Sequence, residues 1–121
     1  MALFTLNDAA ALRQNILSTV DEQARTIAED LVRHSKSKEE VLENIKVWIR
    51  NYPDKNTFNV CVLHDIMVST LEWKRIGSEK IVPILQTLLE DKYREAFPDF
   101  PIEKDPERDC VFYLRVTFHS V

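Results

Sequence analysis

The chain has a single glycine, Gly77, among its 121 residues. Loops that cradle phosphate need several, because only glycine lets backbone amides close around a pyrophosphate with no Cβ in the way. That shortage removes most nucleotide-dependent enzymes. It also leaves no glycine-rich elbow on which a serine could be paired with one of the three histidines, His34, His64 or His119. Cysteine is nearly as scarce: Cys61 and Cys110 lie inside apolar runs and read as buried thiols, not as a disulfide framework. No apolar run approaches the roughly eighteen residues of a membrane span. The opening MALFTLNDAAALRQ carries no basic stretch before its short apolar patch, so no signal peptide is expected. The expected location is intracellular, in the cytoplasm or in a particle assembled inside a cell, with no membrane partner. Positive charge is short as well, with 16 Lys and Arg against 20 Asp and Glu and a net charge of −4. Basic residues cluster only in pairs such as Lys74 with Arg75, so nucleic acid is not an expected partner.

What is present is an ordinary globular composition, 45% apolar and 30% charged, which with so little glycine favours helix. The clearest strand is the last stretch, residues 109–121. There Phe112, Leu114, Val116 and Phe118 alternate with Tyr113, Arg115, Thr117 and His119, the period of two of a half-covered strand. A strand needs a mate for its backbone and a cover for its apolar face.

Thr5 followed by Asp8 reads as a capping box that opens a helix running to about residue 34. Leu17, Val20, Ala24, Ile27 and Leu31 form its apolar seam at spacings of three and four. At 1.5 Å per residue such a helix measures about 40 Å, slightly more than a globule of this size, so it should project or lie along a partner. Ser37 with Glu40 marks a second helix, with Val41, Leu42, Ile45, Trp48 and Ile49 on one stripe and an end before Pro53. The short polar joint between the two predicts an antiparallel helical hairpin. Residues 58–64 read best as a strand, the mate for the last one, while 67–74 fits either extended chain or a helical turn. A third long helix follows Gly77, with Ile84, Leu85, Leu88, Leu89, Tyr93 and Phe97 on one face. After it, PDFPIEKDPERD holds three prolines and seven charges and reads as a loop tacked down by Phe100 and Ile102. The expected architecture is one α+β domain over 1–121: a helical hairpin (1–52) packed with a small two-stranded sheet and a third long helix (58–121).

Candidate chemistry is thin. Cys61, His64, Cys110 and His119 are residue types that bind zinc, but Cys110 and His119 fall on opposite faces of a strand and far apart along it, so no metal site is expected. Pro53-Asp54 followed by Glu72-Trp73-Lys74 looks like the spacing of PD-(D/E)xK nucleases, in which two carboxylates hold a divalent metal and the lysine steadies the attacking water. Those enzymes place the acids at the ends of neighbouring strands, and this chain has few strands. A metal-dependent hydrolase using Asp54, Glu72 and Lys74 is therefore the alternative reading. The favoured one is a non-enzymatic protein–protein interaction or structural subunit, a homo-oligomer or part of a larger assembly, with no cofactor and no small-molecule substrate. Its expected interface combines Leu17, Val20, Ala24, Ile27 and Leu31 of the first helix with Tyr113, Arg115 and Thr117 of a last strand whose edge is open.

Overall fold

A computed structural model describes residues 1–64 and 70–118, for 70–72 the backbone only. Its elements are α1 (Leu6–Arg33), α2 (Lys38–Asn51), β1 (Thr57–Leu63), α3 (Thr70–Ile76), α4 (Ser78–Tyr93), β2 (Ile102–Lys104) and β3 (Phe112–Thr117). The α+β class stands. The sheet has three strands instead of two, in the order β1-β3-β2 and antiparallel throughout. The added strand, β2, lies in the segment read as a loop: Pro101 is tolerated just before a short edge strand, and three residues are too few to show alternation.

Both N-terminal helices begin where their caps dictate. Thr5 Oγ1 accepts the Asp8 N–H at 3.2 Å while the Asp8 carboxylate accepts the Thr5 N–H at 3.0 Å, a complete capping box. Ser37 Oγ accepts the Glu40 N–H at 3.1 Å, but the Glu40 carboxylate meets the Ser37 hydroxyl instead of its backbone, so this box is only half formed. The helices are joined through 34–37, yet α1 packs chiefly along α4 and α2 chiefly against β1. Ala24 and Ala28 explain the choice: fully buried and small, they let α4 come close with Ile81, Leu85 and Leu89.

Gly77 opens α4 with φ 91° and ψ 139°, a conformation suited to glycine alone. Pro83 sits inside α4, a turn later than a proline is normally accommodated, and so the Glu79 carbonyl loses the amide it would otherwise bind. Phe112, Leu114 and Val116 of β3 face the helices and are fully buried. Phe118 departs from that alternation; it lies past the strand end, half exposed, tilted against the Phe58 ring at 6.2 Å. The backbone of 70–76 is helical, which makes 70–74 of the ambiguous stretch a helical turn, and its remainder, 67–69, lies outside the described residues. Among the described residues no helix is long and apolar enough to cross a membrane.

Candidate interaction surface

Helix α1 is longer than the body that covers it. From Val20 onward its inner face enters the core, with Ala24 and Ala28 fully buried and Leu31 nearly so, while Val20 and Ile27 pack on the core's edge. Upstream the cover ends: every residue from Met1 to Ser18 is exposed except Ala9, which is half-buried. The free portion of the helix measures about 20 Å. It is apolar. Leu3 is 99% exposed, Leu6 85%, Phe4 61% and Leu17 59%, and Leu12 and Ile16 are exposed with them. Phe4, Ala9, Leu12, Arg13, Ile16 and Leu17 line a shallow hollow of about 300 Å³. Asp8 and Arg13 are the only charged side chains in the first twenty residues, in a chain where 36 of 121 are charged. Asp8 is committed to its cap, and the Thr5 amide it accepts holds its carboxyl below the usual range. Of the five seam residues expected at an interface, then, Leu17 is presented to solvent, whereas Ala24 and Leu31 serve the domain's own core.

Tyr113, Arg115 and Thr117 share the outer face of the sheet, opposite Cys61, Asn59 and Thr57 in register. Each has a partner within the chain. Thr117 Oγ1 lies 3.3 Å from Thr57 Oγ1, Arg115 Nη1 lies 3.3 Å from Glu103 Oε2, and the Tyr113 hydroxyl donates to Asp105 Oδ2 at 3.0 Å. That last bond raises the Tyr113 phenol. Asp105 itself is lowered, first by the Glu107 amide it accepts at 2.8 Å. The expected open edge of β3 is absent, because β3 runs between β1 and β2 and both of its sides are taken; sequence alternation reveals a strand's faces but not its neighbours. His119 lies outside the described residues.

The hydrolase constellation is not assembled. Asp54 is exposed in the turn after α2, Lys74 is exposed on α3, and the Glu72 side chain lies outside the described residues. Glu72-Trp73-Lys74 is helical backbone, whereas the motif requires strand ends. Cys61 and Cys110 are half-buried and form no disulfide, and His64 is exposed. Burial pushes the Cys61 thiol up, against the thiolate that zinc binding needs. Among the described residues no three His, Cys, Asp or Glu side chains gather where they could hold a metal ion.

One enclosed polar cluster escaped sequence reasoning. Lys92 of α4 reaches the joint after α1, where its ammonium donates to Ser35 Oγ at 2.6 Å and to the Val32 and Ser35 carbonyls at 3.4 Å. Next to it the Tyr93 hydroxyl donates to the Lys36 carbonyl. Burial draws the Lys92 ammonium below the usual lysine range, with Lys38 adding to the effect and Glu40 opposing it. A serine–lysine nucleophile would need the hydroxyl to donate to a neutral amine. Here the Ser35 hydroxyl donates to the Val32 carbonyl and the amine is the donor, so the cluster is a cation closing a helix C-terminus.

Comparison with family models, curated protein sequences and solved structures finds no match for this chain.

Proposed function

We propose that the chain is a non-enzymatic, self-associating structural subunit that joins its copies, within the cell or a particle assembled there, through the free half of α1. The observation that carries this reading is the exposed stripe of Phe4, Leu6, Leu12, Ile16 and Leu17 at the start of α1, a segment with only two charges, which the protein's own core leaves uncovered. Interface centres have this composition, depleted in charge and rich in large apolar side chains. Solvent exposure of so many leucines in one place favours association with a surface of the same kind.

The test is the double replacement Leu12→Asp with Ile16→Asp in the full chain, followed by sedimentation velocity. Both side chains lie outside the core, so the variant should melt close to the parent and lose at least tenfold in association affinity. An unchanged association constant would remove α1 from the interface, and a parent that stays monomeric at hundreds of micromolar would remove the function itself.

A further inference from the structure

The sheet has two edges, and they are protected very differently. β2 is three residues long, follows Pro101 and carries Glu103 and Lys104, the usual devices against unwanted pairing. β1 has none of them: Thr57–Leu63 reads TFNVCVL, without charge or proline. The ladder shows which of its backbone groups face outward. Phe118 N–H donates to the Asn56 carbonyl, and Arg115 N–H donates away from β1 to Pro101. In an antiparallel ladder the bonded pairs alternate. Phe58 and Val60 therefore bond to β3, while the N–H and C=O of Thr57, Asn59 and Cys61 point to the open side. Beyond them the edge is closed, since the Lys36 N–H takes the Val62 carbonyl at 2.8 Å and the register shifts between Cys61 and Leu63. Among the described residues no backbone or side-chain group bonds the outward groups of Thr57, Asn59 or Cys61.

We infer that this edge pairs with the same edge of a second copy, giving the protein a second self-complementary surface and making it a chain-forming subunit. The inference shares the premise of self-association with the proposed function but uses a different surface. Antiparallel pairing centred on Asn59 sets Asn59 against Asn59 and Thr57 against Cys61 of the other copy, and all of these are outward-facing positions. Each such pair can exchange both of its hydrogen bonds. The two Asn59 amides then meet on the exposed face, where they can bond to each other, and no charge opposes a like charge. The stop at Val62 confines pairing to this short stretch and so fixes its register. Apolar surface adjoins the edge: α2, the helix packed on β1, leaves Leu42 and Ile49 exposed, and Ile49 lines a hollow with Asn56 and Phe118. Two isologous surfaces on one subunit generate an open-ended or ring-shaped array, whereas one alone ends at a dimer.

Light scattering of the full chain across a concentration series tests this. The parent should exceed dimer mass. Asn59→Lys, which brings two ammonium groups together at the centre of the pairing, should stop at the dimer, and so should Leu12→Asp with Ile16→Asp; the combination should be a monomer. As a second readout, the Asn59 and Cys61 amides should exchange slowly in the assembly and rapidly in Asn59→Lys. If Asn59→Lys retains the parent's mass and the Asn59 amide exchanges fast throughout, the β1 pairing is wrong while the α1 interface stands. If only Asn59→Lys lowers the mass, the β1 pairing stands and the α1 interface falls. A parent that is monomeric at every concentration overturns both.

Discussion

Two residues show how single side chains hold this fold. Lys92 closes the C-terminus of α1 from α4, so Lys92→Met should leave the Ser35 carbonyl and the Ser35 hydroxyl without the ammonium they accept from, while the Val32 carbonyl keeps the Ser35 amide and hydroxyl. The expected loss is about 1–3 kcal/mol, measured by urea denaturation. Asp105 organises the turn before β3 by accepting the Glu107 and Arg108 amides and the Tyr113 hydroxyl. Its carboxyl titrates below the ordinary 3.8 in the folded protein. The folded state therefore prefers the carboxylate; the stability it adds is complete above pH 3.8 and is lost as the pH falls through the lower folded value. Asp105→Ala should lower Tm at pH 7, and its difference from the parent should narrow as the pH drops below 3.8. A gap that does not change with pH would mean that the carboxylate charge is not what organises the turn. Neither role was legible in the sequence. Ser35, the partner of Lys92, is 57 residues away in the chain; the Glu107 and Arg108 amides are close to Asp105, but the Tyr113 hydroxyl that ties it to β3 is 8 residues away and only the fold shows that the three converge.

At the level of elements, the sequence was readable wherever the signal is local. The Thr5-Asp8 and Ser37-Glu40 caps located α1 and α2 to within about a residue, and the alternation in 112–117 located β3 with the correct inward face. Strand order was not readable, because it depends on which distant segments bond, and β2 is too short to declare itself. The seam of α1 was visible along its length, but nothing local shows where its cover ends. Two positions at the start of α4, the Gly77 cap and Pro83, can be tested. Gly77→Ala has no atom within 4 Å to clash with, yet it should cost about 1–3 kcal/mol because a φ of 91° is strained for any residue with a Cβ. Pro83→Ala restores the amide facing the Glu79 carbonyl and should raise stability by about 1–3 kcal/mol. Thermal unfolding of the two variants should move in opposite directions.

Across the whole molecule, the body is self-sufficient and the surplus is concentrated. Helices α2 and α4 pack on the sheet and α1 packs along α4, and together they enclose a continuous core that includes Tyr93 and Phe112. Among the described residues, the free half of α1 is left uncovered, as is the outward edge of β1 with the exposed Leu42 and Ile49 of α2 beside it. A helix segment of about three and a half turns, packed on nothing, is marginal in water and should fray when the protein is a monomer. Covered by a second copy, it should hold its hydrogen bonds. The most direct measurement is therefore backbone amide hydrogen exchange of residues 6–18 in the full chain at rising protein concentration. We expect protection of these amides to increase with concentration, and to stay low at all concentrations in Leu12→Asp with Ile16→Asp. Exchange that is equally fast at every concentration in the parent would contradict the claim that α1 joins copies of this protein.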